Sequence, residues 1–333
     1  MQTITVIGAG SWGSALTFIL AENNNKVKIY GRDSKLIDEI NTKHTNTKYL
    51  PEAELPSHVR GYTDLKLAIE STDVILLVVP TKVIRQVIKE ISLVLDHPVI
   101  FVNASKGIEP GTFKRISQIV DEEIDEKYRR GFVALTGPSH AEEVIKRQLT
   151  VVSAASNDLP LAKLVQKMFN NDEFFRVYTL NDLIGAELGG SLKNIIAMAS
   201  GIIAGLGYGD NAKAALITRG LVEMRRLATS AGANEETLFG LTGIGDLVVT
   251  ATSLHSRNYQ AGFKIGSGTN LKETLAQMTM VVEGVRSCEA AYQYAKDLNV
   301  EMPITSAVYD VIFNQKEPRD VIKQLMSRDL KSE

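Results

Sequence analysis

The chain has 333 residues and a net charge of −2, with 44% hydrophobic and 23% charged residues, which is ordinary for a globular protein but too long for one usual core. The near-neutral balance gives no basic excess that would suggest nucleic acid, and no polybasic segment suggests an anionic membrane. A single cysteine, Cys288, excludes an internal disulfide and a cysteine cluster, and the histidines show no HxxxH spacing, so no metal is expected.

In chain order, a short apolar strand over Thr3–Ile7 runs into Gly8-x-Gly10-x-x-Gly13, and a small-residue helix follows over 11–23. That is the dinucleotide-binding fingerprint in the context it requires. Gly8 permits the tight turn, Gly10 lets backbone approach a pyrophosphate, and Gly13 lets the helix pack on the strand. The first helical N–H groups then face the anion. The bland alternative is a tight strand–helix turn with no ligand. The N-terminus lacks a basic n-region and a signal-type apolar core, so a cytoplasmic location is the default expectation.

Strand two is expected over Lys26–Tyr30, a fully buried parallel strand over 73–79, and further strands over 98–103, 132–136, 149–154 and 174–177. Helices are expected over 34–41, 82–95, 112–127 and 158–171. This alternation predicts an α/β fold, a Rossmann-like doubly wound sheet. Ligands of such sheets sit at the carboxyl ends of strands, where Pro80, Ser105–Lys106 and Gly137–Ser139 fall. After residue 180 the pattern is helical, broken by glycine-rich turns near 205–209, 240–245 and 266–268. The expected division is therefore a dinucleotide-binding domain over 1–180 and an all-α domain over 181–333. The stretch 183–206 is apolar enough to pass for a membrane span, but Glu187, Lys193 and Asn194 inside it favour a buried helix.

Strand two ends in Tyr30-Gly31-Arg32-Asp33. Gly31 stands where an NAD-selective site usually carries the carboxylate that bonds the ribose. Arg32 can pair with a 2′-phosphate, which favours NADPH, although Asp33 can still serve NADH. A solvated loop charge is the other reading of Arg32.

In the helical half, Lys193 has Gly189, Gly190, Ala197 and Ser200 as its neighbours at i−4, i−3, i+4 and i+7. Two glycines in a helix interior cost about 1 kcal/mol each, so something needs the space, either close packing or a ligand reaching the amine. A buried lysine suits proton transfer, whereas a snorkelling lysine is the bland alternative. Downstream, Leu241-Thr-Gly-Ile-Gly-Asp246 is a glycine-punctuated turn ending in an acid. Ser256-Arg257-Asn258 opens a helix with a hydroxyl, a guanidinium fork and an amide, a good phosphate site. Ser256 reads equally well as a simple N-cap. Val281-Val-Glu283-Gly284 is a turn of less certain role.

Gly8-Ala-Gly-Ser-Trp-Gly13, Ala104-Ser-Lys-Gly-Ile-Glu109, Gly137-Pro-Ser-His-Ala141, Glu187-Leu-Gly-Gly-Ser-Leu-Lys-Asn194, Gly240-Leu-Thr-Gly-Ile-Gly-Asp246, His255-Ser-Arg-Asn258 and Val282-Glu-Gly284 follow in that order. The set resembles the bacterial NAD(P)-dependent glycerol-3-phosphate dehydrogenases over residues 4–325. The resemblance implies reversible reduction of dihydroxyacetone phosphate to sn-glycerol 3-phosphate for phospholipid synthesis. It implies that Lys193 is the catalytic proton donor and acceptor. Lys106, Gly137, Ser139, Asp246, Ser256, Arg257 and Asn258 join it around the substrate. With Gly8, Gly10 and Gly13, it places Ser11, Trp12, Arg32, Lys106, Ala141, Arg257, Val281 and Glu283 at the cofactor. The chain departs from the family where Val249-Thr-Ala-Thr252 lacks a frequent cysteine and where Thr81, not serine, follows Pro80. Cofactor preference is the transfer left open. A homodimer is compatible with the sequence, which does not set an oligomeric state. A β-hydroxyacid or ketopantoate-type dehydrogenase and a non-catalytic NAD(P)-binding sensor remain the rival readings.

Overall fold

The structure is a computed structural model that describes residues 2–278 and 281–330. It divides into two compact units, one comprising Met1–Lys106 with Arg115–Ala186 and the other Gly107–Lys114 with Glu187–Glu333. The first contains β1 (Thr3–Ile7), α1 (Ser11–Glu22), β2 (Lys26–Tyr30), α2 (Ser34–Lys43), β3 (Thr45–Asn46), β4 (Leu50–Glu54), β5 (Arg60–Tyr62), α3 (Leu65–Ile69), β6 (Val74–Leu77), α4 (Thr81–Ser92) and β7 (Val99–Asn103). It continues with α5 (Ile116–Glu123), β8 (Arg129–Thr136), α6 (Ala141–Val144), β9 (Thr150–Ala155), α7 (Leu159–Phe169) and β10 (Phe175–Leu180). Helix α8 (Leu183–Gly205) then leads into α9 (Asp210–Ser230), α10 (Asp246–Thr252), α11 (Arg257–Gly266), α12 (Leu271–Gln277), α13 (Glu283–Asp297), α14 (Pro303–Ile312) and α15 (Pro318–Met326).

The main sheet has eight strands in the order β10-β9-β8-β7-β6-β1-β2-β5. The chain leaves β1 in one direction to β2 and returns on its other side to β6, both parallel to it. That reversal makes the carboxyl end of β1 the switch point where such sheets bind ligands. Alternate residues cover the two faces. Val74, Leu76, Ile100 and Val102 join the layer with α1 and α7, whereas Ile75, Leu77, Val99 and Phe101 join the layer with α4 and α5. The expected doubly wound character is present, with one difference in direction. Strand β9 runs antiparallel to β8, and β10 is parallel to β9. The intervening helix α6 has only four residues, too little to form the usual crossover that keeps neighbouring strands parallel.

Three short strands and one short helix between residues 45 and 69 have no counterpart in the expected elements, because Pro51 and Pro56 and the charged residues around them hide any period. Helix α5 begins later than expected. Phe113 sits at φ +57 and stacks on Tyr294 at 5.8 Å, so Gly107–Lys114 is an excursion into the second unit rather than the start of a helix. The expected boundary at 180/181 is also displaced, since the observed division falls between Ala186 and Glu187, inside α8.

Among the described residues, every regular element of the second unit is a helix. Helix α8 is the only described helix long and apolar enough to cross a membrane, and 83% of its apolar window is buried within the protein. Its packing is unusual in being backbone on backbone. A Cβ at Gly201 would lie 2.1 Å from the Tyr259 carbonyl oxygen, and one at Gly262 would lie 2.1 Å from that of Met198. Gly205 and Gly266 repeat the arrangement one turn on, against Phe263 and Ile202. Glycines four apart on both α8 and α11 let their Cα–H groups face the opposite carbonyls.

Elsewhere in this unit Glu223 of α9 is 4% exposed and accepts hydrogen bonds from the Ile304 and Thr305 backbone N–H groups and from the Thr305 hydroxyl, capping α14 from a distance. Burial pushes its carboxyl up to about 7, against the lowering effect of these bonds. A folded pKa above the unfolded value means that the native state holds a proton the unfolded chain has released. Stability from Glu223 is therefore greatest below about pH 4.5 and falls as pH rises toward 7. Relative to Glu223→Gln, the wild-type unfolding free energy is expected to drop by up to about 3 kcal/mol over that window in denaturant titrations. A flat difference between the two proteins would show that folding does not raise the pKa of Glu223.

Candidate active site

In the first unit the glycine turn forms as its residue types require. Gly8 has φ +122, and a Cβ there would stand 2.5 Å from the Val78 carbonyl oxygen beyond β6. A Cβ at Gly13 would fall 1.9 Å from the Gly8 carbonyl oxygen, so α1 can sit against the turn only because residue 13 is glycine. Around Gly10 the space is open, and the N-cap of α1 has no side-chain capping bond. Trp12, half-buried against the core, carries a buried Nε1 with no hydrogen-bond partner. An open cradle over an uncapped helix N-terminus fits a dinucleotide pyrophosphate. Ser11 is buried at the first position of α1.

The turn is held by a residue that sequence reasoning missed. Asn46, fully buried, donates from Nδ2 to the Ala9 carbonyl (3.0 Å) and to the Ser14 hydroxyl (2.7 Å). A polar residue in a segment without a periodic pattern gave no local signal of this.

At the end of β2, Asp33 caps α2 by accepting from Leu36 N (3.3 Å), and its other oxygen accepts from Lys48 (2.8 Å). Both carboxylate oxygens are thus engaged. Arg32 is 59% exposed and donates from Nη2 to both oxygens of Glu90, at 2.9 and 2.7 Å. Glu90 was invisible as a partner in the sequence, 58 residues away. At the carboxyl edge of β7 and β8, half-buried Lys106 donates to the Gly137 carbonyl (3.2 Å), as does the Ser139 hydroxyl (2.9 Å). The structure thus brings Lys106, Gly137 and Ser139 together. Ala141 opens α6 and is buried in the α1-side core.

In the second unit Lys193 and Asp246 meet. Lys193 is 4% exposed and Asp246 1%, and the ammonium donates to the carboxylate. It also donates to the Thr250 hydroxyl at 2.7 Å, which in turn donates to the Asp246 main-chain carbonyl at 2.6 Å. The hydroxyl hydrogen is thereby committed, and its oxygen is left to accept from Lys193. Thr250 was also missed, although its place one turn after Asp246 on the same helix was a readable signal.

The glycines around Lys193 have a packing explanation at Gly189. A Cβ there would lie 2.5 Å from the Thr242 carbonyl oxygen. The expected turn at 241–246 is instead a wide helical turn, with Gly245 N donating to Gly240 O at 3.2 Å, which runs straight into α10. Its backbone presses on α8 at Gly189, and Asp246 is carried to Lys193. Ser200, also on the small-residue stripe, donates to the Ala251 carbonyl at 2.7 Å.

Ser256 caps α11, accepting from Tyr259 N at 3.3 Å. The cap uses the hydroxyl oxygen as acceptor and not its hydrogen, so capping does not exclude the expected anion-binding role. Arg257 is half-buried in the first turn of α11. Asn258 donates to the Asn194 side chain (2.9 Å) and accepts from Gly284 N (2.8 Å), tying α8, α11 and α13 together. Val281 is exposed ahead of α13 and Glu283 is its first residue.

Comparisons agree with the motif order. The family model for the NAD-dependent glycerol-3-phosphate dehydrogenase N-terminus matches residues 3–162, and that for the C-terminus matches 182–323. The chain is 54% identical over 333 residues to a glycerol-3-phosphate dehydrogenase (NAD(P)+) of an Exiguobacterium strain, covering all of this chain and 97% of that protein. It is 53% identical to the enzyme of the same name from Geobacillus kaustophilus, covering 100% of this chain and 96% of that one. The crystal structure of glycerol-3-phosphate dehydrogenase from Coxiella burnetii superposes with a TM-score of 0.93 at 36% identity, over 98% of this chain and 99% of that one. The chain therefore belongs to the NAD-dependent glycerol-3-phosphate dehydrogenase family in both of its halves.

Proposed function

We propose that the protein reduces dihydroxyacetone phosphate to sn-glycerol 3-phosphate, reversibly, with NADPH preferred and NADH accepted, and so supplies glycerophospholipid synthesis in the cytoplasm. The observation that carries this reading is the buried ammonium of Lys193, fixed by Asp246 and Thr250, in a chain of this family. The first unit is the dinucleotide-binding domain, with Gly8, Gly10, Ser11, Trp12, Gly13, Arg32 and Ala141 toward the cofactor. Lys106 serves both cofactor and substrate. The helical unit is the substrate domain, to which Arg257, Val281 and Glu283 add cofactor contacts.

The hydride that reduces the carbonyl carbon is supplied by the bound nicotinamide. Lys193 polarises the carbonyl oxygen and delivers the proton that completes the alcohol, and takes it back in the oxidative direction. Asp246 balances the buried charge. Asp246 and Thr250 together hold the ammonium in one orientation, so little is lost to reorganisation. The phosphate does not react. Ser256 and Arg257, at the start of α11, bind it with a hydroxyl, a guanidinium and helical N–H groups. The family resemblance adds Gly137 and Ser139 to the substrate residues. Asn258 acts by holding α11 in place.

Following NADPH oxidation at about 340 nm with dihydroxyacetone phosphate, and with dihydroxyacetone as the unphosphorylated control, tests the reading. Turnover confined to the phosphorylated ketone is expected; equal turnover of both, or of neither, overturns it. Arg257→Ala is expected to raise the KM for the phosphorylated ketone by about 10- to 100-fold with a smaller effect on kcat, since a charge-assisted bond to a non-reacting group is lost. An unchanged KM would remove Arg257 from the phosphate site.

A further inference from the structure

We propose that Glu90 is a cofactor-specificity residue, whose carboxylate competes with the 2′-phosphate of NADPH for the Arg32 guanidinium. This rests on the reading that Arg32 serves the adenosine 2′ position. Three features of the first unit lead to it.

The first is the geometry of the pair. One Arg32 nitrogen, Nη2, contacts both Glu90 oxygens at 2.9 and 2.7 Å, so the carboxylate holds one of the donors that a 2′-phosphate would use. Glu90 is itself held from α4 by Gln86, which donates to it at 3.2 Å one turn earlier. The second is the absence of another carboxylate for the job at the end of β2. Residue 31 is glycine, where even a Cβ would come within 3.1 Å of the Ala9 Cβ, and both oxygens of Asp33 are committed to the α2 cap and to Lys48. The third is exposure. The two side chains are 59% and 31% exposed, so the pair is exchangeable and worth about fivefold at most in an equilibrium.

The consequence is asymmetric. NADH has no group that needs Arg32, so its binding leaves the ion pair intact. NADPH must take Arg32 from Glu90 and then tolerate a carboxylate beside a phosphate dianion. Glu90 thus lowers affinity for NADPH alone and narrows the gap between the two cofactors.

The test is equilibrium binding without substrate. NADPH and NADH are titrated by nicotinamide fluorescence, and adenosine 2′,5′-bisphosphate and 5′-AMP by calorimetry. The proteins are the full chain, Glu90→Gln, Arg32→Ala and the double variant. Glu90→Gln is expected to tighten NADPH and the bisphosphate about two- to fivefold, to leave NADH and AMP unchanged, and to have no effect once Arg32 is alanine. Glu90 is a partly exposed helix residue and glutamine keeps its shape, so the variant folds. NADPH binding that is unchanged or weaker in Glu90→Gln, or tightened equally with NADH, overturns the proposal. If Arg32→Ala weakens NADPH selectively in that case, the Arg32 reading survives and only the role of Glu90 falls. If Arg32→Ala weakens both cofactors alike or neither, the Arg32 reading fails and the proposal falls with it.

Discussion

Replacing Lys193 by alanine is expected to lower kcat for dihydroxyacetone phosphate reduction by about a hundred- to ten-thousand-fold, the range for loss of a positioned general acid. NADPH binding should be retained, because the fingerprint lies in the other unit. The variant also carries a stability cost. Asp246 is 1% exposed, and removing its cationic partner leaves a buried carboxylate uncompensated, which costs about 3–5 kcal/mol. Activity lost through unfolding must therefore be separated from activity lost through chemistry. Lys193→Arg makes the separation. A guanidinium keeps a positive charge opposite Asp246 but cannot give up its proton in the working pH range. If Lys193 transfers the proton, the arginine variant should melt closer to wild type and still fail to turn over. Near-wild-type kcat in either variant, in steady-state assays with melting curves alongside, would remove Lys193 from the chemistry.

Gly201→Val is expected to be the most disruptive single change in the helical unit. The new Cβ would lie 2.1 Å from the Tyr259 carbonyl oxygen and 2.7 Å from the Phe263 nitrogen. Both are backbone atoms of a helix, so no side chain can swing away, and α8 and α11 must separate. Overpacking costs about 1–3 kcal/mol where neighbours can relax, and more is expected here. Separation would also act on the proposed phosphate site, because α11 begins at Arg257 and Asn258 bonds Asn194 on α8 at 2.9 Å. A fall in the unfolding midpoint should therefore accompany a raised KM for the phosphorylated ketone. Ala214→Val, on an exposed stretch of α9, is the control and should change little. Equal stability of Gly201→Val and this control would show that the two helices do not touch through backbone.

The glycine fingerprint, the alternation of strands and helices and the lysine on its small-residue helix face were legible because each is local. A positive φ at Gly8, a period of 3.6 around Lys193 and an apolar run at 74–77 are properties of neighbouring residues. Thr250 was legible in principle, one turn from Asp246. Asn46, Glu90 and Glu223 were not, since their partners lie 37, 58 and 81 residues away and nothing in their own segments marks them.

The glycines show the same limit from the other side. Sequence said that Gly189 needed room, without saying whether for a ligand or for packing. The tertiary structure gives the room to the backbone of Thr242. In α8 and α11 the paired spacing of Gly201 with Gly205 and Gly262 with Gly266 was visible, but it was not visible that the two pairs face each other.

By itself, then, the sequence determined a dinucleotide fold, a helical second half and, through seven ordered motifs, the family. Those conclusions need only residue type and spacing, which are fixed along the chain. Only the tertiary structure decided the direction of β9, the recruitment of Gly107–Lys114 to the second unit, the Lys193–Asp246–Thr250 cluster and the engagement of Arg32 by Glu90. Each of these depends on which distant groups can satisfy one another's charge, hydrogen bonds and volume. That choice is made once, among all the packed elements of a unit, and no single segment contains it.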